Sequence, residues 1–478
     1  MTTPSTRTRF APSPTGLMHL GNVRAALVNY LFAHQHRGVF ILRIEDTDAQ
    51  RNFDLGGKQI IEDLVWLGLI YDEGPGKDRG CGPYYQSERM PLYQEKLAVL
   101  IKENKVYRCF CTEQELERSR QRQIALKKPP RYDRTCLALS ADACAAELQA
   151  ETPFIWRMKL DDSLSFEIHD LARGLVRFEL KNFSDFPLTR QDDSVTFLFA
   201  NAIDDMTMKI SHVFRGEDHL SNTALQAALY HAFATPLPTY WHMPILCNSE
   251  GKKLSKRDFG FSLNDLRAAG FLPEAICNYL AIIGGGTFEQ EILSLDQLVS
   301  VVRFDNISAA GQVRYDVEKL RWLNHKWIEK LDPHELTNLS MPFLTAAYPA
   351  VAMMDQAMIT HLLQTIKTDI VTLADAVQAL HFYFNAPTLS LGDITHHFDH
   401  QLPAIQACVM EHIESITAVD SFLQAVKLSA KEKGIGMKPL FWFLRFALMG
   451  QQDGPSIHDL ITMLSAEESY KRIKRLAE

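Results

Sequence analysis

Phe10-Ala11-Pro12-Ser13-Pro14-Thr15-Gly16-Leu17-Met18-His19-Leu20-Gly21-Asn22 decides the reading of this chain, because it hands a strand over to a helix. Upstream, Arg7-Thr8-Arg9-Phe10-Ala11 reads as a short strand. Downstream, Val23, Ala26, Leu27, Tyr30 and Leu31 recur at helical spacing, and Gly38 is placed to stop that helix. Pro12 and Pro14 stiffen the turn by fixing φ. Gly16 and Gly21 remove Cβ where a ligand would lie against the backbone. A helix beginning at Asn22 would offer free N–H groups and the positive end of its dipole, which suits a phosphate. His19 stands one turn earlier, positioned to donate to a phosphate oxygen.

Alone, a His-x-Gly loop is a weak signal, usually a surface histidine. A second stretch changes its weight. Gly251-Lys252-Lys253-Leu254-Ser255-Lys256-Arg257 is a basic loop that follows the apolar run Trp241–Leu246. Together the two stretches resemble the paired signatures of class I aminoacyl-tRNA synthetases, HIGH (here His19-Leu20-Gly21-Asn22) and KMSKS (here Lys253-Leu254-Ser255-Lys256-Arg257). Further segments narrow the resemblance to the bacterial glutamyl-tRNA synthetases: Arg43-Ile44-Glu45-Asp46-Thr47-Asp48, Tyr85-Gln86-Ser87-Glu88-Arg89, Phe214-Arg215-Gly216-Glu217-Asp218-His219 and Leu320-Arg321-Trp322-Leu323-Asn324. The resemblance runs from about Arg9 to the C-terminus.

Bulk properties agree with a multidomain globular protein. A chain of 478 residues divides into several domains of about 100–150 residues each. The net charge of −8 argues against indiscriminate nucleic-acid binding but leaves room for local basic patches. One such patch is the segment Lys102–Arg134, with ten cations against five anions. The eight cysteines lack the spacing of a secreted disulfide scaffold, and the N-terminus carries no charged-then-apolar signal, so a reducing cytoplasm is expected. The most apolar C-terminal run, Leu440–Met449, is broken by Arg445 and too short to cross a bilayer.

Along the chain, Val39–Ile44 reads as a buried strand, which completes a β–α–β start for a doubly wound parallel sheet. Ile60–Leu69 reads as a helix and Glu73–Pro83 as a Gly/Pro-rich loop. Leu97–Asp193 is charged and irregular, with a helix around Glu113–Arg122 and strands near Phe154–Leu160 and Leu175–Leu180; it reads as an insertion. The sheet is expected to resume near Ser194, with a strand over Ile210–Arg215, Ser221 capping a helix Asn222–Phe233, and another strand over Trp241–Leu246. A helix begins near Phe271, and helical patterning dominates from Pro333 to Glu478.

The resemblance implies an α/β fold: a doubly wound, Rossmann-type parallel-sheet catalytic domain with an inserted connective domain, then an all-α anticodon-binding domain. In this numbering the catalytic halves are 1–96 and 194–250. The acceptor-stem-binding insertion is 97–193, a stem-contact region with the basic loop is 251–330, and the anticodon-binding domain is 331–478. It implies ATP-dependent activation of L-glutamate and transfer to the 3′ end of tRNA-Glu, tRNA-Gln or both, with tRNA needed for activation, by a monomer. His19, Lys253 and Lys256 would be catalytic. Mg-ATP would meet Pro12, Gly16, His19, Gly21, Asn22 and the loop Lys253, Leu254, Ser255, Lys256, Arg257. Arg9 would face the glutamate side chain and Arg215 its other end, Ser13 and Glu45 would take the ammonium, and Phe197 and Asn201 would complete the pocket.

Two positions depart from the family. Many members have tyrosine where this chain has Phe197, and that hydroxyl reaches the substrate's side-chain end. Members with structural zinc often carry histidine two residues after the last cysteine, where this chain has Ala138. Cys109, Cys111, Tyr132 and Cys136 remain as a four-ligand set for one zinc ion, with three free thiols as the alternative reading. Two rival functions share parts of these signatures: a small-molecule nucleotidyltransferase, which needs no helical tail of this length, and a non-catalytic tRNA-binding paralogue, which need not keep His19 or Lys256.

Overall fold

The computed structural model describes residues 6–47, 54–283, 288–304, 312–398 and 400–478. Asp48, the last residue of the Arg43–Asp48 motif, lies outside them. The chain forms two compact units: Met1–Asp265 with Ile276–Val317, and Leu266–Ala275 with Glu318–Glu478.

The first unit is built on parallel strands. Strand β1 (Arg7–Phe10) passes through the proline loop into helix α1 (Leu20–Gln35), which returns to β2 (Val39–Leu42), parallel to β1. Of the residues at helical spacing in α1, Val23, Ala26, Leu27 and Leu31 are buried and Tyr30 is half-buried; Leu20 and Phe32 are buried as well. The helix ends where Arg37 takes a left-handed φ of 51°. Gly38 has a different task from stopping the helix: a Cβ there would lie 2.2 Å from the carbonyl oxygen of Thr6, so only glycine permits this approach. Helices α2 (Lys58–Trp66) and α3 (Met90–Lys102) follow.

The region 97–193 departs from the sequence reading. Its first part forms a small sheet of its own: β3 (Val106–Cys109), α4 (Glu113–Ala125), α5 (Ala141–Gln149) and β4 (Ile155–Met158), with β3 and β4 antiparallel. Its last strands belong to a larger sheet. Strand β5 (Ser165–Asp170) pairs antiparallel with β6 (Gly174–Glu179) and parallel, at Asp170↔Tyr240, with a strand seventy residues downstream. Near Ser194, helix α6 (Phe197–Thr207) precedes the resumed sheet. Then β7 (His212–Gly216), α7 (Leu220–Ala232) and β8 (Thr239–Met243) complete a four-stranded sheet of order β6-β5-β8-β7, with β7 and β8 parallel. Ser221 does not cap α7. A short turn of helix over Glu217–His219 leads directly in, so Ser221 already lies inside the helix. The Ser211 N–H donates to the Arg7 carbonyl at 3.0 Å, which ties the approach to β7 against β1.

The second unit is helical. Asp332 caps Pro333–Ala347 in a reciprocal pair with Glu335. In Val419–Glu432, Phe422, Leu423, Val426 and Ala430 line one buried face at helical spacing. The apolar run Leu440–Met449 lies in Met437–Met449, a core helix stopped by Gly450 at φ 80°. Among the described residues no helix is long and apolar enough to cross a membrane.

Candidate active site

A cavity of about 780 Å³ opens at the carboxyl ends of β1, β2, β7 and β8, where ligands of open parallel sheets bind. Pro12, Ser13, Gly16, His19, Gly21 and Asn22 line it from the first loop, and Lys253 and Lys256 from the basic loop. Arg9, Glu45, Phe197, Asn201 and Arg215 line it from the sheet side.

His19 is the N-cap of α1, which starts two residues before the expected position. Its Nδ1 accepts from the N–H groups of Gly21 (3.1 Å) and Asn22 (3.3 Å), and the Leu20 N–H donates to the Phe261 carbonyl. The N–H groups expected to be free for a phosphate are therefore already satisfied. With Nδ1 accepting, the ring proton resides on Nε2, so the imidazole edge is the donor this loop offers. Burial, and then the charge of Lys253, hold the His19 pKa below its ordinary value and keep the ring neutral. Phe261 stacks on the ring at 4.9 Å. A Cβ at Gly21 would stand 3.0 Å from that ring, so this glycine makes room for the cap.

The basic loop divides its residues. Leu254 is buried and its N–H donates to the Leu246 carbonyl, so it anchors the loop. Ser255 donates through its N–H (2.8 Å) and hydroxyl (3.0 Å) to Asp258, which also accepts from the Asn248 side chain. Of the five residues predicted to meet the nucleotide, only Lys253 and Lys256 line the cavity. Leu254 is withdrawn into the core, Ser255 is committed to Asp258, and Arg257 is exposed away from the lining. Lys253 reaches Asp218 at 3.4 Å. Asp258 escaped the sequence reading because an Asp after a basic loop carries no pattern of its own.

On the sheet side a hydrogen-bonded chain joins the two arginines. Arg9 Nε donates to Asp205 (3.0 Å), Arg43 donates to Asp205 (2.7 Å) and to Glu45 (3.1 Å), and Asn201 donates to Glu45 (2.7 Å). Gln226 donates to Asn201 (2.8 Å) and accepts from Arg215 (2.7 Å). Glu45 thus does pair with Arg43, whereas Arg215 pairs with neither Glu217 nor Asp218. Burial pushes the Glu45 carboxyl up despite Arg43. Asp205 lies below its ordinary value: burial opposes ionisation, and the charges of Arg9 and Arg43 overcome it. Arg215 is buried by its neighbours and is drawn down to about 10 by that burial. Its hydrogen-bond partners are the neutral side chains of Gln226, Thr223 (2.7 Å) and His242 (3.3 Å). Phe197 packs its ring 5.5 Å from that of His219.

Asp204, Asp205, Thr223, Gln226 and His242 were missed in the sequence. A signal existed for the first two. Phe197, Asn201, Asp204 and Asp205 fall at helical spacing on α6, so they share one face, and polar groups on an otherwise apolar face mark a buried site.

Three cysteines of the inserted part converge. The sulfurs of Cys109, Cys111 and Cys136 lie within 4.8 Å of one another. The Tyr132 hydroxyl is 3.4 Å from Cys109 Sγ and 3.7 Å from Cys111 Sγ. Three sulfurs and one phenol oxygen around a common centre fit a four-coordinate zinc site in number and chemistry. Without metal, burial and the Cys136 thiol push Cys111 up to about 12.

Residues 5–322 match the family described as tRNA synthetases class I (E and Q), catalytic domain, and residues 335–477 match an anticodon binding domain. A glutamate–tRNA ligase of Moorella thermoacetica is 36% identical over 482 residues, covering 98% of each chain. That of Geobacillus stearothermophilus is 36% identical over 480 residues with the same coverage. The crystal structure of a glutamate tRNA ligase from Elizabethkingia meningosepticum in complex with its amino acid superposes with a TM-score of 0.86 at 30% identity, over 99% of each chain.

Proposed function

The chain belongs to the class I tRNA synthetases of the glutamate and glutamine type and attaches glutamate to tRNA, and from that premise we propose how its residues divide the work. The observation that carries the proposal is the lining of one cavity by two chemically distinct walls. His19, Lys253 and Lys256 form a donor wall, and Arg9, Arg215 and Glu45 form a wall for a zwitterionic dicarboxylate.

Arg215, a buried cation with neutral partners, takes one carboxylate, and Arg9 takes the other, at the side-chain end. Ser13 and Glu45 take the ammonium, and Asn201 holds Glu45 in place. A glutamate α-carboxylate oxygen then attacks the α-phosphorus of Mg-ATP, and pyrophosphate leaves. Charge builds on the phosphate oxygens, where His19 Nε2–H, Lys253 and Lys256 donate. In the second step a ribose hydroxyl of the tRNA 3′ end attacks the adenylate carbonyl and AMP leaves. Pro12, Gly16, Gly21 and Asn22 contribute shape and backbone to the nucleotide side.

We assign the acceptor stem to the basic segment within 97–193 and the anticodon to the helical region 331–478. Cys109, Cys111, Tyr132 and Cys136 would hold zinc, which would cross-link β3 to the turn that carries Cys136 and take no part in the reaction. The cytoplasm is the compartment these partners require.

Lys256→Ala tests the donor wall. Pyrophosphate exchange dependent on glutamate and tRNA should fall about a hundredfold, the usual loss for one charge-stabilising donor, with tRNA binding little changed. An undiminished rate would remove Lys256 from the mechanism. Charging of purified tRNA-Glu and tRNA-Gln by the same preparation identifies the tRNA partner.

A further inference from the structure

Arg215 ends a row of side chains whose other two members the reaction does not use. Three neighbouring strands supply it: Asp170 at the end of β5, His242 on β8 and Arg215 on β7. Arg215 and His242 are register partners, so their side chains leave the same face of the sheet side by side. His242 and Asp170 are completely buried. Asp170 Oδ1 accepts from the N–H groups of Ala172 and Arg173, each at 3.0 Å. Its Oδ2 faces the N–H (3.0 Å) and Nδ1 (2.8 Å) of His242. A carboxylate so surrounded only accepts, so Nδ1 carries the His242 proton and Nε2 presents a lone pair. That lone pair faces Arg215 Nε at 3.3 Å and the Thr223 hydroxyl at 2.9 Å. Thr223 in turn accepts from Arg215 Nη2 at 2.7 Å, which sends its own proton to His242.

We propose that the buried Asp170–His242 pair is the positioning device for Arg215, fixing the one histidine tautomer that can accept from the guanidinium and so aiming it at the substrate carboxylate. The inference rests on the assignment of Arg215 to glutamate. Arg215 has no carboxylate in contact with it to set its orientation, so its direction depends on neutral acceptors at fixed points. Gln226 supplies one and is itself held by Asn201. His242 and Thr223 supply the others. The wrong tautomer would turn an N–H toward a cation and leave Arg215 Nε without its acceptor. The stacked ring of Tyr240 at 5.5 Å and the Asp170 contacts prevent His242 from rotating to compensate.

The test is steady-state kinetics of charging with the full chain. His242→Leu removes the acceptor, and His242→Gln restores a donor and an acceptor on a side chain of similar reach. His242→Leu should raise KM for glutamate tenfold or more while KM for ATP stays within twofold, and His242→Gln should recover most of the loss. Asp170→Asn should act in the same direction, because its amide N–H must face either the Ala172 and Arg173 N–H groups or His242 Nδ1 and force the ring proton to Nε2. If the leucine variant does not fold, His242→Asn carries the test, since it can reach Asp170 but not Arg215; it should show the same selective rise against the glutamine variant. Equal KM for glutamate in the wild type and the folded Leu or Asn variant overturns the proposal. Arg215→Lys is measured alongside. An unchanged KM there would instead overturn the assignment of Arg215 to glutamate, so the two failures are told apart.

Discussion

Replacing Asp205 with Asn keeps the shape of the side chain and removes the charge that Arg9 and Arg43 share. Asp205 Oδ1 accepts from Arg9 Nε at 3.0 Å and from Arg43 Nη1 at 2.7 Å, with side chains no more than 4% exposed. Arg43 has other counter-ions, Glu45 at 3.1 Å and Asp204 at 3.6 Å. Arg9 pairs with Asp205. Breaking a buried pair by removing one partner costs about 3–5 kcal/mol, because the remaining charge is uncompensated. The amide oxygen retains part of the hydrogen bonding, so the lower end, about 3 kcal/mol, is expected. In a unit as large as the one that holds Asp205, that lowers the melting temperature by on the order of 5 °C. The sign of the pH dependence follows from the depressed pKa of Asp205. Its stabilisation is complete above the ordinary carboxylate value of about 3.9. It is lost as pH falls through the lower value of the folded state, so the gap between wild type and variant should close there. Differential scanning calorimetry of both proteins across that range measures it, with KM for glutamate at neutral pH as a second readout. A melting temperature within about 1 °C of wild type at pH 7, with unchanged KM, would refute the view that Asp205 is the counter-ion holding Arg9.

Phe197→Tyr should lower KM for glutamate several-fold with less change in kcat, since a hydroxyl added at the side-chain end contacts ground and transition states alike; a higher KM would mean that the ring's packing at 5.5 Å from His219 leaves the hydroxyl no room. Gly21→Ala places a methyl 3.0 Å from the His19 ring, and the displaced donor should cost about tenfold or more in adenylate formation while leaving KM for glutamate alone, as pyrophosphate exchange would record. Protein purified without chelator should contain about one zinc per chain by atomic spectroscopy, and Cys136→Ser should lose it together with some thermal stability; a metal-free wild type would favour three free thiols.

How much of this was legible in the sequence depended on distance along the chain. The β–α–β start was legible because its determinants are local: α1 buries residues at helical spacing, and β2 is a continuous apolar run. Strand β5 was not. Ser165-Phe166-Glu167-Ile168-His169-Asp170 has only two apolar residues, and it enters the sheet through a partner seventy residues away. The free N–H groups expected at Asn22 were a correct reading of helix termini in general. Here the histidine beside them consumed them, because Gly21 lets the ring fold back. In the basic loop, motif resemblance marked five residues, and only packing separates the anchor Leu254 and the tied Ser255 from the two lysines that face the cavity.

The two arginines proposed to hold glutamate make the same point about charge. In the sequence, Arg9 and Arg215 are equivalent cations near strand ends. In the folded chain they differ in kind. Arg9 is already neutralised by Asp205, a residue 196 positions away, so a ligand carboxylate at Arg9 joins an ion pair that exists without it. Arg215 is equally buried but rests on Gln226, Thr223 and His242, all uncharged. Burial first, and the charge of Arg9 after it, lower its pKa, and no carboxylate in contact with it offsets that effect. A carboxylate entering beside Arg215 therefore relieves a desolvated charge, whereas one entering beside Arg9 competes with a partner in place. It follows that Arg215 supplies most of the attraction for the anion and Arg9 mostly discriminates, accepting a second carboxylate only where geometry allows it to share with Asp205. Substituting Arg215 should thus weaken glutamate and its neutral isostere alike, since both carry the α-carboxylate, while changes around Arg9, including Phe197, should shift the preference between the two.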